Sequence, residues 1–459
     1  MDNAIKPFGF KDRIGYMFGD FGNDFTFILS SMFLMKFYTD VMEVSPAIVG
    51  LLMMTARFVD AFTDVMMGQI VDRSKTTKKG KYSPWIRRMM GPVAVASFLM
   101  YAVWFKDMPM NFKIFWMFFT YILWGSVCYT GINIPYGSMA SAISDKPEDR
   151  TSLSTWRSIG ATLAATTIAV VLPLFVYYTD AAGNSVFSGE KMMWAALTCS
   201  VLAVVCYILC YNLTTERVKI DSVNEKFSLT ALIKTTVSNR SLVGIVLAAW
   251  MLLIAQLTLS GMGNYIYPNY FNNIKVMAIV NLLGSVTTLV ISTFIGPLSR
   301  KFGKKELSIV GSLMGAGSLL TAFLLHTHSI GTWMVLYVTA YAGLSIFNII
   351  VWAMITDVID DVEVQQGVRR DGTVYSVYSF ARKLGQAASS GLTGLLLGAI
   401  GYSMETAREQ AVVDGIYNMT TMVPAIAFIG MALVLAFVYP LSKNKVENNA
   451  ATLAEKRNR

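Results

Sequence analysis

The stretch VGLLMMTARFVDAFTDVMMGQIV, residues 49–71, places Arg57, Asp60 and Asp64 inside an apolar run long enough to cross a bilayer. On a helix, positions 57, 60 and 64 share one face. A carboxylate at the centre of a spanning helix costs about 2.5–3.5 kcal/mol on insertion scales. Two carboxylates on one face with a cation beside them therefore read as a place where a small cation binds and is released, rather than as incidental polarity.

The rest of the chain fits that setting. It has 459 residues, 54% hydrophobic and 15% charged, with a mean hydropathy of +0.50. Soluble domains carry about 25% charged residues. The charges here cluster in short segments between apolar runs, the pattern of an all-α polytopic membrane protein. The net charge of +9 does not point to nucleic acid, because the basic residues lie in loops beside the apolar runs. Cys128, Cys199, Cys206 and Cys210 all fall in apolar runs and read as core or lipid-facing residues, with neither a metal nor a disulfide pattern. His326 and His328 read as solvated loop residues. No P-loop, HExxH or GxSxG pattern is present, which argues against an ATP-driven pump and against an enzyme. The N-terminal apolar run contains Asp20, Asp24 and Lys36, unlike a cleaved signal.

Twelve spans are predicted: 14–40, 46–71, 89–106, 113–143, 153–178, 190–212, 241–268, 274–298, 307–326, 331–355, 373–400 and 416–440. The loop after span two holds Arg73, Lys75, Lys78, Lys79, Lys81, Arg87 and Arg88. The segment between spans six and seven, the loop after span eight and the C-terminal tail are also basic. The opposite loops carry single cations. Both termini and the middle loop are thus expected in the cytoplasm, as in a multi-pass protein of a bacterial inner membrane. The expected organisation is an N-terminal half, 1–212, a middle loop, 213–240, a C-terminal half, 241–442, and a tail, 443–459. Spans two and eight both run from Gly into a basic turn, GQIVDRSKTTKKGK and GPLSRKFGKK. That echo suggests two parallel six-helix halves, the major-facilitator arrangement, with a substrate site between them.

Polar residues inside the spans face a wet interior or one another. Besides the span-two triad they include Asp20 and Asp24, Thr130 and Asn133, Arg157, Asn264, Asn348, Trp352, Asp357, Arg382 and Lys383. Carboxylates and amides suit sugar hydroxyls, and aromatic faces suit the C–H face of a pyranose. Asp20, Asp357, Asp360 and Asp361 lie near predicted boundaries and fit structural ion pairs at helix ends that gate the cytoplasmic side. Arg382 fits a snorkelling side chain.

The segments GDFGNDF, FYTDV, ARFVDAFTDVMMGQIVDRSKTTKKGKYSPW, NIPYGSMASAIS and RRDGTVYSVYSFARKLGQA together resemble the glycoside–pentoside–hexuronide:cation symporters, relatives of melibiose permease, over nearly the whole chain. The resemblance implies a major-facilitator fold and sugar uptake coupled to a cation. It places Asp60 and Asp64 on the paired cation-site acids, Thr130 on a nearby hydroxyl and Thr63 where an asparagine serves in sodium coordination. It places Asp24, Arg157 and Lys383 in the sugar site, to which Asn133, Tyr129, Asn264, Asn348 and Trp352 are added, and Asp357 and Arg369 at a cytoplasmic gate. Asn133 and Gly137 replace an acid and a tryptophan that hold a galactoside in the melibiose-permease branch, and NIPYG resembles the pentoside and glucuronide branches. Either a proton or sodium suits the carboxylate pair; a proton needs only a desolvated carboxylate.

The expected function is symport of a small glycoside, a xyloside such as isoprimeverose, with H+ or Na+. The alternative is a glucuronide. A non-transporting sugar sensor, from a different class, needs an extra soluble domain for which the tail and middle loop leave little room. No cofactor is expected beyond the coupling cation, and a monomer in the lipid bilayer is expected.

Overall fold

Long apolar runs with few backbone breakers fold as helices, because a bilayer leaves every backbone N–H and C=O to be satisfied within its own segment. The computed structural model describes residues 7–218, 239–367 and 371–457. It divides into two compact units, Met1–Lys226 and Phe227–Arg459. The first unit contains α1 (Phe10–Asp40), α2 (Pro46–Asp72), α3 (Ser83–Leu99), α4 (Met110–Ile143), α5 (Pro147–Val176) and α6 (Gly189–Leu213). The second contains α7 (Arg240–Tyr265), α8 (Ile274–Phe302), α9 (Lys304–Leu325), α10 (Ile330–Gln366), α11 (Asp371–Ala399), α12 (Gln410–Leu433) and a polar α13 (Lys443–Arg457). Between α5 and α6 lies a small antiparallel hairpin, β1 (Tyr177–Thr179) with β2 (Ser185–Phe187), where the sequence reading continued span five to 178.

Among the described residues, nine helices are long and apolar enough to cross a membrane. The three other long ones are α1, α2 and α11. They carry Asp20, Asp24 and Lys36; Arg57, Asp60 and Asp64; and Arg382 and Lys383. The charges that lower their apolarity are thus the charges singled out above.

In the first unit α1 packs on α5 and α6, and α2 packs on α4. Gly15, Gly19 and Gly22 form a stripe along α1. A Cβ at Gly15 would stand 2.7 Å from Leu213 Cβ, and one at Gly22 would stand 3.1 Å from Cys206 Cβ. Small residues of this kind let helices approach closely where lipid supplies no hydrophobic drive.

The cytoplasm-expected end of this unit is tied together by the residues after α6. Glu216 accepts backbone N–H bonds from Lys81 (2.7 Å), Tyr82 (3.0 Å) and Ser83 (2.6 Å), plus the Ser83 hydroxyl at 2.7 Å. A carboxylate there meets the orphan donors and positive dipole end of α3. Gly80, at φ +109°, lies against the Glu216 carboxylate where a side chain would collide. Arg217 grips the buried Asp12 with both guanidinium nitrogens, at 3.0 and 2.9 Å. The middle loop expected over 213–240 is thus described only up to residue 218 and from residue 239; its remainder lies outside the described residues.

In the second unit Asp361 is buried. It accepts bonds from Ser241 (2.6 Å), Gln365 (2.8 Å) and Asn449 (3.0 Å), so α13 is held to α7 and α10 by neutral donors rather than by the cation partner expected. His326 and His328 lie in the loop after α9, His326 half-buried and His328 exposed, as the reading expected of loop residues. They join an aromatic cluster, with His328 stacked on Tyr270 at 4.6 Å and His326 against Tyr417 at 4.6 Å. All four cysteines are buried and unpaired.

Replacing Glu216 by Ala strands three backbone donors at the start of α3. The expected loss is about 1–3 kcal/mol, seen as a lower thermal unfolding midpoint of the detergent-purified protein. An unchanged midpoint contradicts the latch.

Candidate functional site

The site of the first unit is built on three helix faces, with Arg157 of α5 and Tyr207 of α6 set against them. The first is α2, where Asp60 and Asp64 are one turn apart. The second is a rewound stretch of α4. Residues Leu123–Tyr129 form a π-helical segment between Met110–Ile122 and Thr130–Ile143. Such segments shift the register of one face against its neighbours and are frequent at functional sites. Ser126, inside this segment, and Thr130, just after it, set their hydroxyls against the α2 carboxylates. Ser126 donates to Asp60 Oδ1 at 2.6 Å, and Thr130 donates to Asp64 Oδ1 at 2.7 Å. The Thr130 hydroxyl also lies 3.1 Å from the Gly125 carbonyl oxygen. One proton cannot serve both acceptors fully, and the shorter contact goes to the carboxylate. Gly125 itself leaves room for Asp60: a Cβ there would sit 3.3 Å from Asp60 Oδ1.

Arg57 stands beside this pair, with Nη1 3.8 Å from Asp60 Oδ2 and the guanidinium 4.6 Å over the Phe27 ring. The group therefore offers two carboxylates, two hydroxyls and a carbonyl, all hard oxygen donors, with one fixed cation. That set suits a monovalent cation or a proton. Among the described residues no group of three or more His, Cys, Asp or Glu residues is placed to hold a metal ion. Thr63, expected in this set, instead bonds to the carbonyl of Asp60 at 3.2 Å.

The third face belongs to α1. Asp20, Asp24 and Phe27 succeed one another at helical spacing. Asp20 is paired with Arg157 of α5 at 2.9 Å, and Arg157 lies over the Tyr136 ring at 5.5 Å. Tyr136 stacks on Tyr16 at 4.6 Å. Phe27 meets both Arg57 and Tyr129, the latter ring at 5.7 Å. Asp24 stands between these ends and has no hydrogen bond or ion pair among the described residues. Asn133 accepts from Asn23 at 3.2 Å, and Asn23 in turn accepts from Tyr207 at 2.9 Å. The structure thus brings Asp24, Tyr129, Asn133 and Arg157 into one unit with the carboxylate pair. It also adds Ser126, Asn23, Asp20 and Tyr207, which the sequence reading did not place in the site.

The remaining expected residues belong to the second unit. Asn264 is buried near the end of α7. Asn348 is half-buried on α10, one turn before Trp352. Arg382 is half-buried, its guanidinium 5.2 Å over the Trp352 ring, with Tyr378 on the ring's edge. Lys383 is half-buried beside it on α11. Asp357 is ion-paired with Lys304 at 2.6 Å, within the unit. Arg369 lies outside the described residues.

Residues 15–443 match the family described as MFS/sugar transport protein. The chain belongs to that family. It shares 31% identity over 441 residues with an uncharacterized symporter of Bacillus subtilis (strain 168), covering 95% of this chain and 94% of the relative. A glucuronide carrier protein homolog of Escherichia coli (strain K12) is 29% identical over 96% of this chain and 94% of its own. An isoprimeverose transporter of Lactiplantibacillus pentosus is 29% identical over 94% and 89%. Among solved structures, the crystal structure of a mutant nucleoside transporter aligns with a TM-score of 0.63 at 14% identity over 94% of this chain and 98% of that one. The family is that of the glycoside–pentoside–hexuronide symporters, as the sequence motifs indicated. The chain is thus an all-α membrane protein with the major-facilitator fold, a sugar transporter of this family and not an enzyme.

The hydroxyl–carboxylate contacts make a direct prediction. Thr130→Val removes the donor to Asp64 and one oxygen from the group, whereas Thr130→Ser keeps both. A hydrogen bond to a charged group contributes about 1.5–3 kcal/mol. Thr130→Val is therefore expected to weaken cation-dependent sugar uptake by about tenfold or more, with Thr130→Ser close to the parent. Equal activity of all three in vesicle uptake contradicts the assignment.

Proposed function

We propose that the protein carries a small glycoside, a xyloside-type pentoside such as isoprimeverose, into the cell together with one class of small cation, sodium or a proton. The observation that carries this reading is the continuity of one face of α1. It runs from the Asp20–Arg157 pair through Asp24 to Phe27, which packs against Arg57 beside Asp60.

In this proposal the cation binds at Asp60 and Asp64 with the hydroxyls of Ser126 and Thr130. Cation binding balances negative charge that is costly inside a membrane. Asp24, which makes no hydrogen bond or ion pair among the described residues, accepts hydrogen bonds from sugar hydroxyls, and the Asn133 amide adds polar groups from α4. The two ligands share the field of Arg57 and Arg157, so each raises the affinity for the other; such coupling is reciprocal. Occupancy of both then favours the change from outward to inward access.

A second reading has its own support. The side chain of Arg157 is 44% exposed, and only its Nε is engaged by Asp20. The two remaining nitrogens suit a substrate carboxylate in bidentate fashion, which favours a glucuronide. The relatives include a glucuronide carrier homolog and an isoprimeverose transporter at the same identity.

The test is uptake of labelled xyloside, glucuronide and melibiose into de-energised vesicles under an imposed sodium or proton gradient. The xyloside is expected to accumulate under one gradient only, and Asp60→Asn or Asp64→Asn should abolish accumulation while leaving the protein in the membrane. Accumulation by both variants contradicts the cation assignment. Accumulation of glucuronide alone, lost in Arg157→Gln, replaces the first substrate by the second.

A further inference from the structure

Away from the carboxylate pair, a cavity of about 570 Å³ opens between the start of α3 and the end of α6. Lys78 and Lys79 from the α2–α3 loop, Arg87 and Arg88 from α3, and Tyr211 from α6 line it. Lys79 lies 5.3 Å and Arg87 6.0 Å from the centre of the Tyr211 ring, so the aromatic face holds two of the cations in place. None of the four cations forms an ion pair among the described residues. The Glu216 carboxylate is engaged by the backbone N–H groups of Lys81, Tyr82 and Ser83 and makes no ion pair with these cations. Four cations around one cavity, with no ion pair among the described residues, suit an anion.

The surroundings say which kind. Val201, Val205 and Ile208 repeat along α6 at helical spacing and are 54%, 47% and 41% exposed. They lead along the helix to Tyr211, one turn beyond. Val95, 59% exposed, lies further along α3. Large apolar side chains exposed on membrane helices meet acyl chains, and here they run up to the basic cavity. By the positive-inside rule this end faces the anionic cytoplasmic leaflet.

We propose that the cleft between α3 and α6 is a binding site for an anionic phospholipid, with Lys78, Lys79, Arg87 and Arg88 around the headgroup phosphate and the apolar lane of α6 along an acyl chain. Basic pockets between membrane helices bind phosphate headgroups in this way. An anionic lipid there bridges α3, α6 and the loop that Glu216 latches.

The test uses the full chain purified in detergent and offered phosphatidylglycerol, cardiolipin or phosphatidylcholine, with retained lipid read by native mass spectrometry. The parent is expected to retain phosphatidylglycerol or cardiolipin over phosphatidylcholine. R87Q/R88Q should lower that retention by about fivefold for each cation removed, and Y211A should lower it as well. R300Q/K301Q, which removes two cations from another basic loop, should not. Equal retention of anionic and neutral lipid by the parent overturns the proposal, as does an equal loss in R300Q/K301Q. Displacement of the retained lipid by millimolar inorganic phosphate, at constant ionic strength, identifies the site as one for a soluble phosphate and also overturns it. Thermal unfolding without lipid checks that R87Q/R88Q is folded. Should it not be, loss of phosphatidylglycerol from the parent on raising salt decides between headgroup charge and apolar contact alone, and retention that ignores salt overturns the proposal.

Discussion

Two carboxylates on α2 meet two hydroxyls on α4, and much of the first unit is arranged around that contact. Asp60 and Asp64 are like charges one helical turn apart, in a segment where a single carboxylate is already costly. They are tolerable because Ser126 and Thr130 donate to them and Arg57 stands alongside. The hydroxyls stand within and just after the π-helical stretch Leu123–Tyr129, and Gly125 has no side chain in the way of Asp60. Ser126 and Thr130 are four residues apart, as are Asp60 and Asp64, so each helix presents its pair on one face and the two faces meet.

The same economy holds at the cytoplasm-expected end. Glu216 closes the start of α3, Arg217 closes on Asp12, and Gly80 gives the backbone the positive φ and the space that the latch needs. In the second unit the corresponding work is done differently, by Asp361 with Ser241, Gln365 and Asn449. Carboxylates recur at these joints, Asp12 and Asp361 buried and Glu216 half-buried, and each is matched by donors from neighbouring segments.

Much of this was legible in the sequence. Apolar runs and basic loops indicated an all-α membrane protein, and the spacing of Arg57, Asp60 and Asp64 indicated a shared face. Partner identity was less legible. Arg157 pairs with Asp20, which was read as a boundary residue, because the facing of α1 against α5 depends on tertiary packing and not on spacing within either helix. Ser126 was missed although it lies four residues before Thr130; that its hydroxyl meets Asp60 depends on how α4 packs against α2. The aromatic neighbour of Arg382, Trp352, lies 30 residues earlier on another helix, so spacing within α11 did not indicate it. The aromatic neighbours of His326 and His328 likewise come from distant parts of the chain.

The central claim is that cation occupancy at the α2–α4 group and sugar binding near Asp24 share one free energy. Calorimetric titration of the purified protein with its glycoside, at several sodium concentrations and pH values, tests it most directly. The account predicts that one of the two cations tightens sugar binding, and that sugar tightens that cation's binding by the same factor. Sugar affinity that is indifferent to both sodium and pH would contradict it.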